Sequence, residues 1–105
     1  MDGAMRIHNV EIPDDKIADF CRRWKVKQFA LFGSVLREDF CSDSDIDVLV
    51  TFTPDANPSL FELGAMQQEL EAMFGRSVDL VEEAGLRNPF RRRNIIKTRK
   101  IIYAN

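Results

Sequence analysis

Between Phe32 and Val50 the chain reads FGSVLREDFCSDSDIDVLV, an apolar end, a Gly-Ser pair, ten residues and then an Asp-x-Asp that runs into a second apolar stretch. The later part, Asp45 to Phe52 (DIDVLVTF), is rich in β-branched residues and is followed by the turn-prone Thr53, Pro54, Asp55, Asn57 and Pro58. That combination predicts a strand. The earlier part, Gln28 to Phe32, predicts a short buried strand that stops at Gly33. Side chains alternate along a strand, so Asp45 and Asp47 share one face while Ile46, Val48 and Val50 take the other. Leu49 and Thr51 continue the carboxylate face, which predicts that it becomes buried soon after Asp47 and leaves the acids beside a cleft at the strand's start.

Outward from this pair of strands the chain alternates helices with strands. Upstream, Pro13 suits a first helical position, and Asp14 and Asp15 suit the positive end of the helix dipole. Ile17, Phe20, Cys21 and Trp24 recur at three- and four-residue steps on one face. Downstream, Ser59 with Glu62 three residues later is a capping box, Leu63, Met66, Leu70, Met73 and Phe74 share a face, and Gly75 is a helix stop. Leu63, Met66 and Leu70 are read as core. Ser77 to Glu82 predicts another strand, Pro89 begins a basic third helix, and Lys100 to Ala104 returns as a final strand. The order αβ(turn)βαβαβ predicts an α/β or α+β sheet domain, and residues 1–105 are read as one domain.

Composition bounds the function. The 105 residues are 45% hydrophobic and 30% charged, as in a compact soluble domain. No stretch approaches the roughly 18 apolar residues of a membrane helix, and Met1 to Val10 lacks the apolar core of a secretory signal, so a cytoplasmic protein is expected. Cys21 and Cys41 form no CxxC pair, and with His8 alone as company they predict free thiols rather than a zinc site. The net charge of −2 conceals an asymmetry. Leu86 to Lys100 holds seven basic residues and no acid, which leaves eight basic against 17 acidic groups elsewhere. Such a run can bind phosphate, nucleic acid or an acidic protein, but a solvated helix face is its commoner meaning. Phe90 and Tyr103 alone make no stacking platform, so nucleic acid ranks lowest among partners.

The chemistry resides in Gly33, Ser34, Asp45, Asp47 and Asp79. Aspartate is poorly suited to an apolar strand, and two carboxylates ~4 Å apart repel by about 4 kcal/mol at an effective dielectric of about 20. Protonation or a basic partner could offset that. A divalent cation does so too, and magnesium prefers one or two carboxylates together with substrate phosphates. Gly33 and Ser34 offer close backbone approach, N–H groups and a hydroxyl to phosphate oxygens. Arg37 could contact a triphosphate or pair with Glu38 or Asp39. Asp79, lodged between Val78 and Leu80, supplies a third carboxylate from a third element.

The stretch from Phe32 to Val50 resembles the signature of the polymerase-β-type nucleotidyltransferase superfamily. The similarity extends through PSLFELGAMQQELEAMFGRSVDLV and the basic helix to KIIYAN, and there the chain resembles the minimal nucleotidyltransferase (MNT) proteins encoded beside HEPN-domain ribonuclease toxins. The resemblance implies a nucleotidyltransferase fold, a small mixed sheet flanked by helices. It also implies that Asp45, Asp47 and Asp79 ligate two Mg²⁺ ions and carry catalysis, with Gly33 and Ser34 on the β- and γ-phosphates of ATP. The implied reaction moves AMP to a hydroxyl, a tyrosine in members that have been studied, on a cognate HEPN toxin. At 105 residues the chain has no room for an acceptor-binding domain, so the acceptor surface is expected from a partner. Homo-oligomerisation through the second helix stays open, as does a different class of function, an antitoxin that neutralises its toxin by covering it without catalysis. Gly85 to Phe90 and the NIIKTRK run match no firm pattern, which leaves the partner-contact residues unassigned.

Overall fold

Two hydrophobic layers are formed on the faces of one sheet. The structure, a computed structural model, describes residues 5–7 as backbone, and 10–36 and 45–105 in full. Its elements are β1 (Met5–Ile7), β2 (Val10–Ile12), α1 (Asp14–Trp24), β3 (Val26–Phe32), β4 (Ile46–Phe52), α2 (Leu60–Phe74), β5 (Val78–Glu82), α3 (Pro89–Thr98) and β6 (Lys100–Ala104). Short 3₁₀ turns cover Gly33–Leu36 and Glu83–Gly85. The main sheet has the order β5-β4-β3-β6; β4 and β5 run parallel, and the other two pairings are antiparallel. This is the α+β arrangement the sequence predicts, a small mixed sheet flanked by helices.

Each helix is delimited by local chemistry. In α1 the helix begins at Asp14; Pro13 stands one place earlier than expected, at the cap, with its carbonyl accepting from the Ile17 N–H at 2.9 Å. Asp14 and Asp15 occupy the first turn and Arg22 and Arg23 the last, in accord with the helix dipole. The Ser59–Glu62 capping box of α2 forms as read, with the Glu62 N–H donating to Ser59 Oγ at 3.2 Å and the Ser59 N–H to Glu62 Oε1 at 2.8 Å. Gly75 ends the helix in the left-handed conformation. Asn88 caps α3 by accepting from the Phe90 and Arg91 N–H groups, and Pro89 follows at the start of the helix.

One sheet face carries Phe29, Leu31, Ile46, Val48, Val50 and Val78 into a core with Ile17, Phe20 and Cys21 of α1 and Met66 and Leu70 of α2. Met66 and Leu70 are therefore core, and Leu63 packs beside them partly buried. Phe20 meets Phe29 edge to face at 6.1 Å. Each fully buried side chain of this size stabilises the fold by about 1.5–3 kcal/mol. Cys21 is free, and burial pushes its thiol up to about 12, so it behaves as a small apolar residue. The opposite face carries Ala30, Phe32 and Leu49 against Leu86 and Ile95 of the α3 layer. Among the described residues no helix is long and apolar enough to cross a membrane.

The β1–β2 hairpin, with Met5 opposite Ile12 and Ile7 opposite Val10, is an element the sequence reading does not contain. Its strands are three residues each, too short to show alternation, and Val10 and Ile12 are held by packing on the main core. Strand β3 also starts two residues before Gln28, while β4 and β5 begin one residue later than expected. The later start of β4 leaves Asp45 just outside that strand, exposed at its mouth.

Candidate functional site

Sheet register decides which charged groups meet. In β4, Asp47 pairs with Phe32 of β3 on one side and with Asp79 of β5 on the other. Residues paired across neighbouring strands project from the same face, so Asp47 and Asp79 stand side by side. The face is the one that carries Leu49 and α3, and Asp45 precedes Asp47 by one full side-chain period. Leu49 is buried two residues beyond Asp47, as the sequence predicts. The Ile46 N–H donates to the Ser77 carbonyl at 3.0 Å and locks the head of β4 to that of β5.

Gly33 turns away from β3 with a φ of +75°, a left-handed conformation that suits glycine. Space makes a second demand, because a Cβ at this position would overlap Asp47 Oδ2. The turn is anchored by Val35, which is fully buried, so Ser34 is presented on a fixed loop. Its backbone N–H bonds to the Asp47 carboxylate, and its hydroxyl donates weakly to the Asp45 carbonyl at 3.4 Å. Gly33, Ser34, Asp45, Asp47 and Asp79 thus form one constellation. Arg37 lies outside the described residues, as do His8 and Cys41.

The electrostatics are those of an uncompensated acidic group. Burial raises the Asp47 carboxyl above its usual range, and the charges of Asp79 and Asp45 push in the same direction. The Ser34 N–H and the Arg91 charge oppose them. None of the ion pairs among the described residues includes Asp45, Asp47 or Asp79. Nor do three His, Cys, Asp or Glu side chains among the described residues already stand as a closed cage for a cation. The donor set nevertheless suits magnesium, which binds through one or two carboxylates and completes its shell with water and phosphate oxygens.

Residues the sequence reading passed over complete the surroundings. Arg91, Asn94, Ile95 and Thr98 follow the i, i+3, i+4, i+7 spacing of a single face of α3. Ile95 is buried against the carboxylate face of the sheet, and the Arg91 charge reaches Asp47. Asn94, Ile95 and Thr98 join Phe32, Gly33 and Leu36 in lining a cleft of about 400 Å³. The available signal was the position of Ile95, the apolar residue that orients the whole stripe. Two other basic residues of this segment are engaged elsewhere. Arg92 binds the Glu83 carbonyl and carboxylate, both at 3.1 Å, and Arg99 donates to the Ile96 carbonyl at 2.6 Å. A larger cleft of about 530 Å³ lies between α1 and α2, lined by residues such as Asp19, Arg23 and Met73, and has no member in common with the carboxylate site.

Comparison with known proteins bears on the family and the fold. The chain is similar to the protein adenylyltransferase MntA of Thermococcus cleftensis, with 36% identity over 83 residues, 77% of each chain. Its fold is similar to that of a toxin–antitoxin crystal structure with AMP-PNP (TM-score 0.71, 21% identity), covering 88% of this chain and 73% of that one. A structure of a tri-AMPylated Shewanella oneidensis HEPN toxin with its MNT antitoxin also shares the fold (TM-score 0.62, 21% identity), covering 88% of this chain and 70% of that one. The profile of the nucleotidyltransferase domain matches residues 15–102, nearly the whole sheet and all three helices, and the chain belongs to that family.

Proposed function

We propose that this chain is a magnesium-dependent protein adenylyltransferase that moves AMP from ATP to a tyrosine hydroxyl of a partner HEPN-type toxin and so acts as its antitoxin. The observation that carries the reading is the row formed by three adjacent strands: Asp79 on β5, Asp47 on β4, and Gly33 with Ser34 at the end of β3. The names of the similar proteins support it, a protein adenylyltransferase and an AMPylated toxin bound to its antitoxin.

In this reading Asp45, Asp47 and Asp79 hold two Mg²⁺ ions. Magnesium held there would neutralise the carboxylates, lower the pKa of the acceptor hydroxyl and stabilise the departing pyrophosphate. Ser34 and Gly33 hold the β- and γ-phosphates through N–H groups and a hydroxyl, and Arg37, three residues further along the sequence, is a further candidate for phosphate binding. Asp79, on the outer strand of the row, orients the acceptor hydroxyl. The acceptor hydroxyl gives its proton to the Asp79 carboxylate as its oxygen attacks the α-phosphorus, the bond to the β-phosphate oxygen breaks, and pyrophosphate leaves on the Gly33 side. Arg91 faces the same charges from α3 and offsets phosphate charge. The protein's contribution is chiefly alignment, which for oriented groups is worth about 7–11 kcal/mol of barrier at best. In this reading the chain acts as one domain in the cytoplasm, and its basic segment serves a protein partner ahead of nucleic acid.

The test is co-expression with the partner encoded beside it, incubation of the complex with Mg²⁺ and α-labelled ATP, and mass spectrometry of the partner. Addition of AMP units, abolished by Asp47→Ala, is the expected result. A stable complex that gains no mass under those conditions would overturn the catalytic reading and leave an antitoxin that acts by binding alone.

A further inference from the structure

We infer that the side of α3 bordering the Gly33 turn, where exposed Asn94 and Thr98 flank buried Ile95, is the wall that receives the nucleobase, with Asn94 selecting adenine; this rests on the nucleotidyl-transfer reading of the neighbouring site. The cleft between α3 and the Gly33 turn has the composition of a base pocket. Phe32, Leu36 and Ile95 supply apolar surface, while Asn94 and Thr98 supply polar groups. Its volume of about 400 Å³ falls within the range of small-ligand pockets, roughly 300–1,000 Å³.

Position distinguishes the base from the acceptor ring as occupant. The order β5-β4-β3 sets Asp79 on one side of Asp47 and Gly33 on the other. An acceptor oriented by Asp79 approaches from β5, whereas the cleft opens beside β3, where Phe32 is the register partner of Asp47. In an in-line transfer the acceptor and the pyrophosphate lie on opposite sides of the α-phosphorus, so with the acceptor toward β5 and the pyrophosphate toward Ser34 the ribose leaves that axis sideways, toward α3, and carries the base to the helix wall of the cleft.

The polar groups favour adenine. Among the described residues the Asn94 side-chain amide has no hydrogen-bond partner, while its backbone carbonyl accepts from the Thr98 hydroxyl at 2.7 Å. An amide offers one donor face and one acceptor face. Adenine presents a donor at N6 beside an acceptor at N7, which one amide satisfies at both atoms, whereas guanine presents two acceptors there and leaves the amide oxygen unpaired.

The experiment is calorimetric titration of the purified chain in Mg²⁺ with ATP, GTP and inorganic tripolyphosphate, for wild type, Asn94→Ala and Asn94→Leu, each checked for an unchanged unfolding midpoint. Wild type should bind ATP about tenfold tighter than both GTP and tripolyphosphate, the scale of one bidentate base contact. Asn94→Ala should erase the preference over GTP, and Asn94→Leu, which fills the cleft, should bring ATP down to tripolyphosphate. Tripolyphosphate binding itself should not change in either variant. The inference is overturned if ATP binds no tighter than tripolyphosphate, or if both variants keep the wild-type ratios. It is overturned equally if the ratios persist while Asn94→Leu raises the KM for the acceptor protein, which would assign the cleft to the acceptor. In each of those results bound tripolyphosphate leaves the transfer reading standing; failure of all three ligands to bind would remove both.

Discussion

On the outer side of α1 and α2, Arg23 is held between Asp19 and Glu69, and the Trp24 indole N–H donates to the same Glu69 carboxylate at 3.1 Å. At the head of β4, Asp45, Asp47 and Asp79 face one another without an ion-pair partner among the described residues. The shifts follow the surroundings. The Arg23 guanidinium holds the Glu69 carboxyl below its usual range, whereas burial and two neighbouring carboxylates hold Asp47 above its own. The first cluster is a closed surface network that serves the fold, in which opposite charges cancel. The second is an open one, whose charges await a cation and a phosphate chain, and so the fold bears a cost that function recovers.

The contrast can be broken most severely at its centre. Asp47→Ala should lower AMP transfer by about 10³-fold or more, the scale expected when metal stabilisation of several kcal/mol is lost, while the metal-free unfolding midpoint does not fall. Single-turnover transfer of labelled AMP and thermal unfolding in chelator measure the two halves; a wild-type rate would exclude the site. Gly33→Ala comes next. Its methyl group meets Asp47 Oδ2 in a left-handed backbone, so transfer should drop by about 10- to 100-fold and the midpoint should fall as well, by an amount consistent with about 1–2 kcal/mol. An alanine variant with wild-type values in both assays would show that the turn has slack.

Thermal unfolding without turnover sharpens the comparison further. In chelator, Asp47→Asn should melt a few degrees above wild type, because it removes a carboxylate that is disfavoured in its charged form. Adding Mg²⁺ should raise the wild-type midpoint and raise that of the variant much less. Equal responses would mean that the acids do not bind the ion. The smallest effect belongs to the closed network. Glu69→Gln should lower the midpoint by about 1–2 °C at low salt, less as salt is added. The sign with pH follows from the lowered Glu69 carboxyl: its stabilisation is complete above the ordinary glutamate range and is lost as pH falls through the depressed folded-state value. Wild type and Glu69→Gln should therefore converge in acid, and a gap that widened there would contradict the network.

Much of this was legible before the fold was known, where local chemistry and periodicity agree. Ser59, Glu62 and Gly75 mark helix ends through hydrogen bonds to near neighbours, Pro89 marks one through its fixed φ, and DIDVLVTF declares a strand through its β-branched residues and the turn that follows. Gly33, Ser34, Asp45, Asp47 and Asp79 stood out because three aspartates in or beside apolar strands have no ordinary packing reason. What escaped depends on contacts between distant segments. The β1–β2 hairpin is stabilised by the core beneath it rather than by its own six residues. Asn94 and Thr98 sit on a helix of mostly exposed, basic residues, and only the seating of Ile95 on Phe32, Ala30 and Leu49 turns that stripe toward the carboxylates.

The parallel pairing of β4 with β5 acts as a ruler. Neighbouring strands lie about 4.8 Å apart, so the separation of Asp47 and Asp79 is set by peptide geometry and can change only in whole-residue jumps. One residue inserted between Ser77 and Asp79 would send that carboxylate through to the opposite side of the sheet, whereas lengthening the connection around Pro54 to Pro58 would leave the spacing intact. Sequence drift is therefore free in the links and arrested at two strand heads, which lets a chain this small vary its outer surface to suit a partner while the distance between its reacting groups stays constant.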